Sequence, residues 1–158
     1  MSKLALIFPG QGSQFVGMGK DLIDHNEATR SFFEKADEKL EFSLTNVIMN
    51  GPEEELTRTE NTQPALLTVS SALLSLLKEA GVQPDYVAGH SLGEYSALVA
   101  AEALSFEDAV YAVRNRGLFM EAAVPAGQGA MAAVLGLDAE KLDAVCKQVS
   151  EAGDLVQL

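Results

Sequence analysis

A short apolar segment, residues 86–88, runs straight into Gly89-His90-Ser91-Leu92-Gly93, and a helix-forming run over 92–104 follows at once. A strand candidate, a Gly-x-Ser-x-Gly turn and a helix in immediate succession describe a nucleophile elbow, and no other feature restricts the fold as much. The sharp turn pushes one serine hydroxyl out of the backbone, where a carbonyl carbon can reach it. A side chain at Gly89 or Gly93 would collide with the tightly turning backbone or block strand–helix packing. The residue after the serine, Leu92, offers its backbone N–H as one half of an oxyanion hole. By composition alone, roughly one 150-residue chain in twenty carries three such fixed positions by chance. The strand–turn–helix context, not the bare motif, therefore carries the signal.

A second segment supports it. Residues 3–8 (Lys-Leu-Ala-Leu-Ile-Phe) read as a short buried strand that breaks at Pro9-Gly10-Gln11-Gly12-Ser13-Gln14. A continuous apolar run ended by proline and glycine is the pattern of an inner parallel strand. The loop has two readings from its residues alone: a tight turn into the next helix, or a row of backbone N–H groups around a polarised oxygen. Its glycines at 10, 12, 17 and 19 lack the spacing of a dinucleotide fingerprint.

Phe8-Pro9-Gly10-Gln11-Gly12-Ser13-Gln14, then Thr62-Gln63-Pro64-Ala65-Leu66, then Gly89-His90-Ser91-Leu92-Gly93-Glu94-Tyr95, together resemble the malonyl-CoA:acyl carrier protein transacylases. Arg116-Gly117-Leu118-Phe119-Met120 and Gly129-Ala130-Met131-Ala132-Ala133-Val134 continue the likeness, in the family's order and at about its spacings. The resemblance implies an α/β fold: a hydrolase-like parallel-sheet core with the elbow, into which a small ferredoxin-like subdomain is inserted. Pro125-Ala126-Gly127-Gln128-Gly129 is the best boundary. The expectation is thus an N-terminal part of the acyltransferase core over 1–125 and an incomplete start of the subdomain over 126–158. The family's chain is about twice as long, so this sequence is expected to be its N-terminal half.

Composition excludes several other classes. With 158 residues, 47% of them hydrophobic, the chain can bury a sizeable core. Its apolar runs fall far short of a membrane span, and the run before Pro9 is too short for a signal-peptide core. One cysteine, Cys146, rules out an intramolecular disulfide and fits a reducing, cytoplasmic compartment. We read it as a packing residue of an amphipathic helix. The net charge of −12 argues against nucleic acid as a partner. It is also at odds with a phosphate-bearing coenzyme A and an acidic carrier protein, both of which favour a basic landing patch. No membrane partner and no metal are expected.

The rest of the chain alternates helix and strand signals. Residues 27–40 are helical by periodicity, with Phe32, Phe33, Ala36 and Leu40 on one side. Shorter helices are predicted over 44–49 and 53–56. Pro64 is expected at the start of a long core helix running to 80, with Gly81 ending it. Ser105 with Asp108 forms a capping signal for a helix over 106–122. Beyond the boundary the pattern predicts a strand (130–135), a turn, a helix (138–151) and the start of another strand (155–158).

The resemblance also implies a chemistry with two half-reactions. Ser91 attacks the thioester of malonyl-CoA, forming a malonyl-serine ester, and the phosphopantetheine thiol of acyl carrier protein then takes the malonyl group for fatty acid biosynthesis. Coenzyme A enters only as a substrate thioester; no cofactor is implied. The backbone N–H groups of Gln11 and Leu92 would hold the oxyanion in both steps. Arg116 matches the arginine that grips the malonyl carboxylate, since a planar guanidinium pairs a carboxylate through two parallel hydrogen bonds. Met120 is either an acyl-pocket wall or a core methionine. Gln63 either approaches the substrate or does not reach it. Arg114 is read as a surface residue. The only histidines are His25, in a polar stretch, and His90, which adjoins Ser91 and points elsewhere. The family's catalytic histidine is expected after Leu158.

Two rival readings remain. A serine esterase or thioesterase shares the elbow, but needs a histidine downstream of Ser91, where this sequence has none. A truncated, non-catalytic fragment fits the missing base.

Overall fold

A computed structural model describes residues 3–124, 128–130, 132, 134–153 and 155–158. The chain divides into two compact units, Met1–Pro125 and Ala126–Leu158.

In the first unit two short strands pair in parallel: β1 (Ala5–Phe8) and β2 (Tyr86–Gly89), in register from Ala5 opposite Tyr86 to Phe8 opposite Gly89. A parallel pair needs a long crossover. Here that crossover contains α1 (Lys20–His25), α2 (Glu27–Leu40), α3 (Leu44–Asn50), α4 (Glu53–Thr57) and α5 (Thr59–Glu79). After β2 come α6 (Gly93–Ala100) and α7 (Phe106–Ala123).

Local chemistry accounts for most of these boundaries. Asn26 caps α2 by accepting from the Thr29 N–H at 3.1 Å, and the helix stops at Glu41 in the left-handed region (φ 59°). Ser43 caps α3 and Ser105 caps α7, the latter accepting from the Asp108 N–H at 3.1 Å. Replacing Ser105 with alanine leaves that donor without its side-chain partner. We expect a loss of about 1 kcal/mol, read as a lower urea midpoint at unchanged slope. Helix α6 ends at Ala100, short of the predicted 104. The chain turns through left-handed Glu102, and the Ala103 N–H returns to the Leu98 carbonyl at 3.0 Å. The short α1 had no clear signal in the sequence.

Helix α5 is the spine of this unit, packing against α2, α3, α4, α6 and α7. The main core joins Phe33 and Ala36 of α2, Leu44 and Ile48 of α3, Leu56 of α4, Leu66 and Leu67 of α5, and Val110 and Val113 of α7. A smaller cluster of Phe8, Leu74 and Ala97 seats the strands on α5 and α6.

Two expectations need correction. Pro64 lies inside α5, not at its start: the helix begins at Thr59. A proline removes one intrahelical donor, so the Glu60 carbonyl four residues earlier needs another. Arg114 of α7 supplies it, its Nη1 donating to Glu60 O at 2.8 Å. Nor is β1 buried on both faces. Ile7 is 71% exposed, and with Phe15, Leu73 and Leu77 it borders an open apolar groove between β1 and α5. The far half of α5 is correspondingly open, although the rest is core as expected.

In the second unit, α8 (Ala139–Glu151) is capped by Asp138, whose Oδ1 accepts from the Glu140 N–H at 3.0 Å. Cys146 is buried and free, a packing residue as its helical position suggested. Beside it, Asp143 hydrogen-bonds the Lys147 ammonium and raises its pKa. The predicted strands do not form among the described residues: Ala130, Ala132, Val134 and Leu135 are irregular, as are 155–158, while Met131 and Ala133 lie outside the described set. A strand is defined by a ladder to a partner, and apolar alternation supplies only one side of it. Among the described residues no helix is long and apolar enough to cross a membrane.

Candidate active site

The turn between β2 and α6 is built by close backbone contacts. A Cβ on Gly89 would overlap the Gly93 carbonyl, and one on Gly93 would overlap the Phe8 carbonyl at the end of β1. The Gly93 N–H donates to His90 O at 2.9 Å, and the His90 N–H reaches across to Phe8 O at 3.2 Å. Between them Ser91 takes φ 53°, a left-handed conformation that costs a non-glycine residue about 1 kcal/mol or more. Ser91 is exposed, whereas the Leu92 side chain is buried in the main core and anchors the turn. The strain thus lifts one hydroxyl clear of the backbone while its neighbour is held in the core.

The loop after β1 lies against this turn. A Cβ on Gly10 would stand 2.7 Å from His90 O and 2.9 Å from His90 Nδ1. The loop is shaped by its own hydrogen bonds: Ser13 Oγ donates to Gly10 O at 2.8 Å, and the Gly12 N–H donates to Gln14 Oε1 at 2.8 Å. The exposed Gln11 side chain donates through Nε2 to Thr59 Oγ1 at 3.2 Å, tying the loop to the first residue of α5.

Helices α5 and α7 bring a cation to the hydroxyl. Arg116 Nη2 donates to Ser91 Oγ at 3.0 Å, and its Nη1 donates to Gln63 Oε1 at 2.8 Å. Gln63 is fully buried, and its Nε2 points to Met120 Sδ at 3.3 Å. The Arg116 guanidinium also lies 6.0 Å from the Tyr95 ring centroid. Arg116, Tyr95, Phe119 and Met120 line a shallow depression with Ala112 and Ala123. Among the described residues Arg116 has no carboxylate partner. Its guanidinium is half-buried and its donors are directed at the exposed Ser91 hydroxyl and the Gln63 side-chain oxygen.

Ser91, Arg116, Gln63 and Met120 are therefore linked in one chain of contacts, and Gln11 and Leu92 flank it. Gln63 reaches the site through Arg116. Met120 faces both this polar chain and the depression. Tyr95 was missed by sequence reasoning, although it lies one helical turn after Ser91.

Arg114 is a correction. It is not a free surface residue: Nη1 also donates to Asn61 Oδ1, and its guanidinium lies 4.7 Å from the Phe42 ring centroid. Burial pushes its pKa below the usual guanidinium value, and the negative charge of Glu60 partly opposes this.

No histidine nitrogen among the described residues hydrogen-bonds Ser91 Oγ; the His25 side chain lies outside that set. Nor do the described residues contain a group of three or more His, Cys, Asp or Glu placed to hold a metal ion.

Residues 5–153 match the acyl transferase domain family. Over its whole length the chain is 63% identical to the malonyl CoA-acyl carrier protein transacylase of Bacillus subtilis, and covers 50% of that protein. It is 52% identical to the Staphylococcus aureus enzyme of the same name, with 99% of this chain and 50% of that one aligned. Among solved structures it superimposes on FabD from Acinetobacter baumannii with a TM-score of 0.88 at 50% identity, covering 96% of this chain and 48% of that one. A malonyl-transacylase solved in complex with a type II PKS acyl-carrier protein gives a TM-score of 0.89 at 45% identity, over 96% of this chain and 49% of that one. The chain thus spans about half the length of the curated relatives it matches. A mixed α/β unit with a parallel strand pair, a serine lifted from a strand–helix turn and a family match running nearly end to end lead to one conclusion: this chain belongs to the acyl transferase domain family.

Proposed function

We infer that this chain carries the nucleophile and the acyl-group anchor of a malonyl-CoA:acyl carrier protein transacylase. The observation behind this reading is the placement of Arg116, which spans Gln63 and the Ser91 hydroxyl. A malonyl group has a free carboxylate close to its reacting carbonyl. A guanidinium in contact with the nucleophile can hold that carboxylate while the carbonyl is attacked.

In this reading β2, Ser91 and α6 form a nucleophile elbow in a hydrolase-like core. Residues 126–158 begin a ferredoxin-like subdomain inserted in it. Ser91 Oγ attacks the thioester carbonyl, the C–S bond breaks, and coenzyme A leaves as the thiol. The carrier's phosphopantetheine thiol then attacks the malonyl-serine ester, and Ser91 regains its proton as the C–O bond breaks. The Leu92 and Gln11 backbone N–H groups hold the oxyanion in each step. Met120 and Phe119 wall the acyl group. The reaction uses no cofactor beyond the two thiol carriers and takes place in the cytoplasm. The carrier-protein complex of a structural relative supports the choice of acceptor.

A second reading is favoured by a specific observation: no described histidine hydrogen-bonds the Ser91 hydroxyl, and an apolar groove lies open beside β1. On that reading the chain alone is a non-catalytic part, and turnover needs a base from the remaining length seen in its relatives.

The test is to add malonyl-CoA and then acyl carrier protein, following the protein and the carrier by intact mass. Malonyl on the carrier supports the transacylase. Free malonate as the main product indicates an esterase or thioesterase. Absence of adduct and product from this chain, with transfer by the longer protein, supports the non-catalytic part.

A further inference from the structure

Helices α5 and α7 touch at one point more closely than side chains allow. A Cβ on Gly117 would stand 2.5 Å from Glu60 Cα, 2.8 Å from Glu60 N and 2.9 Å from Thr59 O. All three are main-chain atoms of α5, so no rotamer change makes room. The same point carries a polar fastening. Pro64 leaves the Glu60 carbonyl without an intrahelical donor, and Arg114 fills the vacancy at 2.8 Å while also bonding Asn61. Arg114 and Gly117 are three residues apart and share a helix face. One therefore ties α7 to α5 where the other lets the two backbones meet.

The neighbouring residues are those of the site. Arg116 precedes Gly117, Gln63 precedes Pro64, and their 2.8 Å hydrogen bond is the next contact along the crossing. The other end of the guanidinium reaches Ser91 on a third segment at 3.0 Å. The position of Arg116 is consequently fixed by the separation of α5 and α7. Moving the helices apart by about 1 Å lengthens at least one of these bonds beyond hydrogen-bond range.

The geometry points to Gly117 as a positioning residue for acyl-group choice: by lacking a Cβ it lets α7 rest on α5, so that Arg116 spans Gln63 and Ser91. This rests on the reading of Arg116 as the carboxylate anchor.

The test compares wild type, Arg116→Ala and Gly117→Ala in the complete acyltransferase chain, measuring kcat/KM for malonyl-CoA and for acetyl-CoA. The ratio of the two is independent of how much protein is folded, so a merely structural role for Gly117 leaves it unmoved. We expect Gly117→Ala to lower the malonyl-to-acetyl ratio about 10- to 100-fold, as expected for a misplacement of about 1 Å in a positioned group. A wild-type ratio in Gly117→Ala, alongside a collapsed ratio in Arg116→Ala, overturns the positioning role alone. A wild-type ratio in Arg116→Ala overturns the anchor reading and this inference with it. If Gly117→Ala does not fold, Arg114→Lys loosens the same crossing without adding volume. It should lower the ratio in the same direction, by roughly 3- to 10-fold, because a lysine cannot reproduce the fork to two acceptors. A wild-type ratio there overturns the inference.

Discussion

Replacing Ser91 with alanine should remove every covalent acyl adduct from the protein. The φ of 53° at this residue, the collision-limited glycines on both sides and the buried Leu92 that follows all serve to present one hydroxyl. Alanine keeps the turn's backbone hydrogen bonds, none of which uses the hydroxyl, so the variant should fold like the wild type. Intact mass after incubation of the complete chain with malonyl-CoA should show the malonyl increment on wild type and none on Ser91→Ala. Transfer to the carrier should fall by at least about 1,000-fold, the scale seen when a nucleophile that acts with its partners as a unit is removed. An adduct that survives the substitution would place the nucleophile elsewhere and end the transacylase reading.

The second large effect is expected at Arg116. Its guanidinium has hydrogen bonds to Gln63 and Ser91 but no carboxylate among the described residues, and an incoming malonyl group would supply one. Truncation to alanine removes the charge and the fork together. A partly buried charge pair lost from one side costs about 3–5 kcal/mol, which corresponds to roughly 100- to 1,000-fold or more in kcat/KM for malonyl-CoA. Acetyl-CoA has no carboxylate to lose. In the wild type it leaves the cation unpaired, so its kcat/KM should fall far less or rise. Arg116→Lys should recover little, because a single ammonium cannot bridge Gln63 and the substrate as a planar fork does. Steady-state rates with both thioesters settle the point: an unchanged malonyl-to-acetyl preference in Arg116→Ala would remove the arginine from the acyl site.

The Ser91 turn and the Arg116 contacts differ in how much of their basis is local. The turn around Ser91 involves neighbours in sequence: a strand, two glycines and a helix start within a few residues. Helices α2, α3, α4, α7 and α8 were legible for the same reason, since periodicity, capping side chains and glycine or proline punctuation act within one or two turns. Pro64 shows where local rules stop. A proline is usually best tolerated in the first turn of a helix, but here α5 begins five residues earlier and Arg114 from a distant helix satisfies the carbonyl that the proline leaves free. Reading Arg114 as surface failed for that reason: its acceptors are more than fifty positions away in sequence.

The strands mark a similar limit. An apolar run at residues 3–8 announces a strand but not what covers it, and β1 in fact pairs on one side with β2 while Ile7 stands open. Apolar segments at 130–135 and 155–158 have the composition of strands without forming ladders among the described residues.

By itself the sequence determined the strained serine turn, most helix limits and the likeness to an acyltransferase, because each depends on short-range sterics, on side chains capping their own helix, or on motif order. Only the tertiary structure decided that Arg116 meets Ser91, that Gln63 holds the guanidinium from behind, and that Gly117 and Arg114 set the α5–α7 crossing beneath them. The hydrogen bonds among them join residues 25 to 54 positions apart, and their distances follow from how closely two helices can approach, a property that neither helix possesses alone.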